Sequence, residues 1–467
     1  MLTRTSPHLD LQGTTLVVGV GNSGLSVVRT LVALGAEVAV TDSRKMPPGL
    51  GELQQTFPQV PCYLGGFAET VFAKAARLIV SPGVSLQTPV IADAAARGVP
   101  LWGDIELFAR LVTAPVAAIT GSNGKSTVTT LLGLMAKQTG MRVAVGGNLG
   151  TPALALLGRA DTELYILELS SFQLETTNSL NARVATVLNI SPDHMDRYTD
   201  LAAYQRAKQK IFQGSGCMVI NADDPAVVAM LKPDRWVMSF TLNEPGSAQF
   251  GLRCHGGQTW LAYGKNRWLA ATELKIGGSH NLANGLAALS MGYALGLKRQ
   301  AMLAVLRTFT GLPHRTQLVL ERAGVRWFND SKGTNVGATV AAVNGLPGCL
   351  ILIAGGDGKG QDFTPLRRVL AQKVSALVLM GRDAPQIAAA VGETVPVHWA
   401  QDMDQAVTLA AQLAQPGDSV LLSPACASYD MFGNYEERGA AFATAVQRQF
   451  GLGNGLSISD PGSIEER

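Results

Sequence analysis

The strongest chemical signal in the chain is the run Gly121-Ser122-Asn123-Gly124-Lys125-Ser126-Thr127. A glycine-rich turn between a buried strand and a helix lets successive backbone N–H groups face phosphate oxygens, and the helix N-terminus adds a positive dipole. Lys125 is positioned for the β/γ-phosphates of ATP, and Ser126 or Thr127 for magnesium. The common phosphate loop carries a further glycine where this chain has Ile119, so the loop is a shorter variant in which Gly121 makes the turn. The alternative is an accidental glycine-rich turn, which leaves Lys-Ser-Thr at a helix start unexplained.

Other residue types that could serve phosphoryl chemistry follow at strand ends. Glu168 opens Glu168-Leu-Ser170-Ser-Phe-Gln-Leu-Glu175, where a carboxylate suits a second magnesium contact or Ser170 and Ser171 cap a helix. His194, in Asp193-His194-Met-Asp196-Arg197-Tyr198, suits a metal ligand or an orienting group. His314-Arg315 offers a planar cation for a γ-phosphate or a surface pair at a linker. Lys208, within the helical stretch Tyr204–Phe212, reads on its own as a solvated basic residue. Three polar loops, Asn329 to Asn335, Gly355 to Gly360 and Ser423 to Ser428, each follow a strand and together make a ligand-facing rim. Near the N-terminus, Gly19-x-Gly21-x-x-Gly24 with Asp42 ending the next strand predicts a bound diphosphate. Read alone it favours NAD, with Asp42 on the ribose, over an empty tight turn.

These residues need strands and helices to hold them. Short β-branched runs predict strands at Thr14–Val20, Glu37–Thr41 and Ala76–Val80, with a helix over Leu25–Leu34. A second unit has strands at Val116–Thr120, Leu164–Leu169 and Val184–Ile190, with a helix over Ser126–Gln138. From Gly214 to Gly278 the glycine-rich pattern reads as short strands and turns. A third unit has strands near Val325–Phe328, Leu350–Ala354, Ala376–Met380 and Ser419–Leu422. The expectation is an α/β fold of three tandem domains, 1–112, 113–311 and 312–451, followed by a disordered tail over 452–467. Ligands in such sheets sit at the carboxyl ends of the strands, where all the loops above fall.

Bulk properties agree. The 467 residues are 47% hydrophobic and 16% charged, enough apolar material for several cores. A net charge of +3 without a basic block calls for neither nucleic acid nor an anionic membrane. The five cysteines, Cys62, Cys217, Cys254, Cys349 and Cys426, lack metal or disulfide spacing. No N-terminal signal pattern or spanning apolar run is present, so a soluble, cytoplasmic enzyme is expected.

With the segments GVGNSG, TDSR, SPGV, TGSNGKST, GGNLGTP, ELSSFQLE, SPDHMDRY, SHNLANGLAA, LPHR, NDSKGTN, GGDGKGQDF and SPACASYDMFGNYEERG in this order, the chain resembles the Mur ligase family of peptidoglycan synthesis. The resemblance runs from Gly19 to about Arg438. The opening and closing segments point to the branch that adds D-glutamate, and the glycine missing at Ile119 is a feature of the family's loop. The resemblance implies a Rossmann-like first domain, a P-loop ATPase-like central domain and a Rossmann-like C-terminal domain. The first domain would then grip the diphosphate of UDP-N-acetylmuramoyl-L-alanine rather than NAD, through Asn22, Asp42, Ser43, Arg44 and Ser81, with Asn148 and Ser170 as further substrate contacts. Gly121 to Thr127, Asn281, Asn284, Arg315, Asp330 and Lys332 would bind ATP. Ser126, Glu168, His194 and Lys208 would serve two magnesium sites, Lys208 as a carbamate. Thr334, Lys359, Ser428 and Tyr435 would hold D-glutamate. Ser43 and Tyr435 stand where several relatives have Thr and Phe.

The implied reaction is ADP-forming amide ligation through an acyl phosphate, with Lys125, Glu168, His194, Lys208 and Arg315 at its centre. Such chemistry is mainly positioning and charge neutralisation. The third domain is expected to close over the ATP site about a hinge near Gly311-Leu312-Pro313, in a monomer. The alternatives are another Mur or folylpolyglutamate-type ligase, a nicotinamide-dependent oxidoreductase using GVGNSG, and a non-catalytic nucleotide sensor.

Overall fold

A computed structural model describes residues 9–158 and 161–452, so the tail expected over 452–467 lies outside the described residues except for Leu452. Three sheets follow one another along the chain. The first contains β1 (Thr15–Val18), β2 (Val38–Asp42), β3 (Cys62–Leu64), β4 (Arg77–Val80) and β5 (Leu101–Trp102), all parallel, in the order β3-β2-β1-β4-β5. β1, β2 and β4 are buried along their whole length, as parallel strands covered on both faces are. The strand order reverses between β1 and β4, which leaves a crevice above their carboxyl ends.

The second sheet holds β6 (Val116–Thr120), β7 (Val143–Gly147), β8 (Leu164–Glu168), β9 (Val184–Val187), β10 (Cys217–Asn221), β11 (Val237–Phe240), β12 (Gln249–His255), β13 (Gln258–Tyr263) and β14 (Asn266–Ala270). Its order is β14-β13-β12-β11-β10-β9-β6-β8-β7, with an antiparallel meander only from β12 to β14. β6 lies between β9 and β8, so the loops after these three strands open side by side. The short strands expected over Gly214 to Gly278 are present and extend the central sheet. Two helices follow it, Ser279–Ala294 and Arg299–Thr308, and pack on the helix Lys125–Gln138.

The third sheet contains β15 (Gln317–Arg322), β16 (Val325–Asn329), β17 (Leu350–Ala354), β18 (Val374–Leu379), β19 (Val397–Trp399) and β20 (Ser419–Leu422), in the order β15-β16-β20-β17-β18-β19. Only the β15–β16 pair is antiparallel. The neighbours β16, β20 and β17 end in the three polar loops expected to form a rim. Four expected strands are shorter in the structure, β4 and β8 by one residue and β1 and β9 by three, and the two larger shortfalls each have a physical reason. β1 stops at Val18 because Gly19 turns the chain at φ +96°. β9 stops at Val187 because Asn189 leaves the ladder to bracket the phosphate loop. Among the described residues, no helix is long and apolar enough to cross a membrane.

Candidate active site

The phosphate loop owes its shape to two glycines. Gly121 has φ +152° and Gly124 has φ +85°, so the helix Lys125–Gln138 starts from a left-handed residue that disfavours a side chain. Asn189 braces the loop by accepting from the Asn123 N–H at 2.8 Å and donating to the Asn123 carbonyl at 3.1 Å. The Lys125 ammonium folds back onto the carbonyls of Gly121 and Ser122, each at 2.9 Å. Burial pulls its pKa down, with Glu168 and Asp193 opposing. Arg315, from the far side of the linker, donates to the Ser126 hydroxyl at 2.6 Å.

Glu168 ends β8 beside this loop and is buried. Its Oε1 accepts from the Asn148 amide at 2.7 Å, while its Oε2 has no partner. Burial favours the neutral acid, but Lys125, Ser126, Asn148 and Arg315 together hold its pKa below the usual value. An ionised, buried carboxylate with one free oxygen is the donor a hard cation seeks. Among the described residues no three His, Cys, Asp or Glu side chains gather to hold a metal by themselves. A magnesium ion fits here only if phosphate oxygens and water complete its shell, which is usual for that ion.

His194 adopts φ +59°, and its N–H donates to Asp193 Oδ1 at 3.0 Å. Its ring meets Phe172 edge-on at 4.8 Å, and burial lowers its pKa, leaving a neutral imidazole at neutral pH. Three residues further on, Arg197 lies 4.1 Å over the Phe172 ring and pairs with Glu175 at 2.9 Å. It also donates to the Pro82 and Val84 carbonyls of the SPGV loop, tying the His194 segment to the first domain.

Lys208 corrects the reading of a solvated residue. It is 1% exposed, donates to the Gly121 carbonyl at 2.9 Å and to Thr120 Oγ1 at 3.3 Å, and lies over the Tyr204 ring. Burial first, and then Lys125, push its pKa well below the ordinary lysine value. The helix Leu201–Gln209 turns this one face onto the phosphate loop, which no local pattern reveals.

Two adjoining cavities share Asn123, Gly124, Arg315 and Lys332 as lining. One, of about 320 Å³, gathers Thr127, Asn281, Asn284 and Asp330. The other, of about 510 Å³, gathers Ser122, Lys125, Ser126, Asn148, Glu168, Ser170, His194 and Lys208 from the centre with Thr334, Lys359, Ser428 and Tyr435 from the third sheet. Asp330 accepts from Ser423 at 2.7 Å and from the Thr316 N–H at 3.0 Å. Burial outweighs those bonds and raises its pKa to about 6. Lys332 lies 3.6 Å from the centre of the Tyr435 ring, and burial with its cationic neighbours lowers its pKa to about 8. Ser170 also forms a capping box with Gln173, so the helix-cap reading of that serine holds as well.

The five first-domain candidates lie apart from both cavities. Asn22 begins the helix Asn22–Ala33, exposed, and Ser81 Oγ donates to the Gly19 carbonyl at 3.0 Å. Asp42 is buried, and its oxygens already accept from the Val20 N–H at 2.8 Å and from Arg44 Nε at 2.9 Å and Nη2 at 2.7 Å. Burial would raise its pKa, but the Arg44 guanidinium and these N–H groups bring it to about 2. Ser43 and Arg44 are exposed beside it. Asn189 is a site residue that the sequence reading did not name, and its only signal was a polar residue just beyond a strand; Asp193 and Asn335 were named only as members of polar segments, with no role of their own.

Comparison with known proteins fits this arrangement. The family model for the Mur ligase MurD-like N-terminal domain matches residues 13–103, that for the Mur ligase middle domain residues 119–292, and that for the Mur ligase glutamate ligase domain residues 314–426. The chain is 56% identical over 440 residues to the UDP-N-acetylmuramoylalanine--D-glutamate ligase of Nitrosococcus oceani, covering 94% of this chain and 97% of that one. It is 54% identical to the enzyme of that name from Marinobacter nauticus, covering 93% and 98%. Among solved structures, the UDP-N-acetylmuramate-alanine ligase MurC of Thermotoga maritima shares the fold, with TM-score 0.58, 16% identity and coverage of 94% and 100%. Three matched domains in sequence, and this identity over nearly the full length of its relatives, mean that the chain belongs to the Mur ligase family.

Proposed function

We propose that this chain joins D-glutamate to UDP-N-acetylmuramoyl-L-alanine with conversion of ATP to ADP and phosphate. One observation carries the reading: the phosphate loop and the four amino-acid-side residues Thr334, Lys359, Ser428 and Tyr435 line a single cavity. A site that must pass a phosphorylated carboxylate to an incoming amine needs both halves within one enclosure.

The carboxylate of the L-alanyl group attacks the γ-phosphorus of ATP, and ADP leaves as the acyl phosphate forms. The amine of D-glutamate then attacks the acyl carbon, loses a proton, and the tetrahedral adduct expels phosphate. Lys125 exchanges its two loop carbonyls for phosphate oxygens, and Arg315 meets the γ-phosphate from the opposite side. Asn281, Asn284 and Asp330 line the nucleoside end. Glu168, His194 and Ser126 would hold magnesium, which neutralises phosphate charge when bound. Lys208, whose pKa burial lowers well below the ordinary lysine value, is suited in its amine form to add carbon dioxide and lose a proton, giving a carbamate and a second cation site. A ¹³C resonance that appears from labelled bicarbonate and is lost in Lys208→Arg would report it. Asn22, Asp42, Ser43, Arg44 and Ser81 take the uridine diphosphate, with Asn148 and Ser170 nearer the reacting end.

The working limits of the domains are 1–112, 113–311 and 312–451, with the hinge at Gly311-Leu312-Pro313, where Gly311 adopts φ +97°. Both halves of the site come from one chain, which supports a monomer. The use of ATP and a UDP-linked substrate supports a cytoplasmic location. Coupled ADP release with UDP-N-acetylmuramoyl-L-alanine, with and without D-glutamate, tests the reading. Turnover is expected only with D-glutamate; equal turnover with L-alanine or a diamino acid sinks it.

A further inference from the structure

We propose that Asn335 is the latch that holds the third domain closed on the phosphate loop, a positioning residue acting through Asn123 and Asp193. Asn335 precedes the helix Val336–Gly345 and is 2% exposed. Its Oδ1 accepts from the Ala338 N–H at 2.8 Å and from Asn123 Nδ2 at 3.3 Å. Its Nδ2 donates to Asn123 Oδ1 at 3.2 Å and to Asp193 Oδ2 at 3.2 Å. A primary amide has two hydrogens to give and two lone pairs to receive them, and here all four are used. The pattern also fixes the orientation of the amide. The carboxylate of Asp193 can only accept, so the nitrogen must face it, and the oxygen is left for the helix N–H.

Two of the bonds reach Asn123, one reaches Asp193, and the fourth caps the helix of the third domain. Asn123 is in the phosphate loop, and Asp193 receives the backbone N–H of His194. The amide therefore couples three segments, from two domains, that must be in register for phosphoryl transfer. Close approach is built in beside it. A Cβ on Gly337 would sit 2.8 Å from Ser191 Oγ and 3.2 Å from its Cβ, so any larger residue would make Ser191 give way, and glycine lets the first turn of that helix lie close against the central domain.

Capping and latching can be separated by one substitution. Aspartate caps a helix about as well as asparagine, so Asn335→Asp keeps the bond to Ala338. It also removes both N–H donors and sets a carboxylate against Asp193. A residue that only caps its helix predicts no effect.

The experiment uses the full chain and rests on the ligase reading for its kinetic arm alone. In Asn335→Asp, kcat/KM for D-glutamate is expected to fall about 100-fold, the scale of lost hydrogen bonds to a charged partner. The melting temperature and the dissociation constant of UDP-N-acetylmuramoyl-L-alanine should stay at wild-type values. Small-angle scattering of the free protein should show a larger radius of gyration than wild type. The exchange Asn335→Asp with Asp193→Asn restores a donor facing an acceptor, and should return the radius of gyration to the wild-type value. Wild-type kinetics and scattering in Asn335→Asp overturn the latch. So does a loss accompanied by a lowered melting temperature, or an exchange that leaves the chain expanded. If the wild-type chain releases no ADP with D-glutamate, the ligase reading fails and the scattering arm still decides the latch.

Discussion

Between the first and second sheets the apolar core runs without a break. Val17, Leu25, Ile105 and Phe108 share one buried cluster with Val116, Ala118, Leu167 and Phe212. Between the second and third sheets nothing similar exists among the described residues. The two buried clusters of the third sheet draw only on its own strands and helices. Hydrogen bonds cross that joint, Arg315 to Ser126 and Asn335 to Asn123 and Asp193, beside a contact of the helix Ser279–Ala294 with the helix Val336–Gly345. Apolar burial is non-directional and hard to reverse, whereas a few hydrogen bonds flanked by open cavities can break and re-form at little net free energy. The first joint is built to stay fixed and the second is built so that it can move, with the proposed reacting groups divided across the second.

That contrast predicts opposite phenotypes. The largest effect is expected at the moving joint. Arg315→Ala should lower kcat by about 10²–10³-fold, the usual scale for losing one preorganised charge contact in the transition state. Its melting temperature should stay within about 2 °C of wild type, since few apolar contacts depend on it. A large loss of stability instead would show that the third domain is welded too.

At the fixed joint the reverse is expected. Glu106, on the helix Asp104–Leu111, is fully buried and accepts from the Asn178 N–H at 2.6 Å, the Ser179 N–H at 2.8 Å and Ser179 Oγ at 2.6 Å. Glu106→Ala strands those donors across the domain boundary and should remove about 3 kcal/mol from the unfolding free energy. Denaturant melts measure it, and kcat at low temperature should fall by no more than about threefold.

Much of this was legible in the sequence because strand-end loops announce themselves locally. Val116–Thr120, Leu350–Ala354 and Ser419–Leu422 were read with their observed bounds, since a buried parallel strand is a continuous apolar run closed by a turn. The phosphate loop and the rim of three loops followed from them. What stayed hidden was set by long-range packing. Lys208 reads as solvated because its partner Gly121 is 87 residues away. Asn335 sits inside a conspicuous polar loop, yet its role depends on Asn123, at a separation of 212 residues. The nature of the two joints was equally invisible, since both linkers are short and unremarkable in composition.

The smallest effect tests the electrostatics of the moving joint through pH. Lys332 titrates at about 8 because burial and the nearby Arg315 and Lys125 disfavour its charged form. Above pH 8 the free enzyme loses this charge, so kcat/KM for ATP should bend downward there, by about tenfold per unit at most. Bound phosphates favour the ammonium, so the corresponding limb in kcat should lie at higher pH. Lys332→Arg, whose guanidinium stays charged, should abolish the limb in kcat/KM, although the contact with the Tyr435 ring will differ. Coincident limbs in the two profiles would mean that the third domain does not bring Lys332 to the phosphates, and the moving joint would then carry its charge for binding order rather than for transfer.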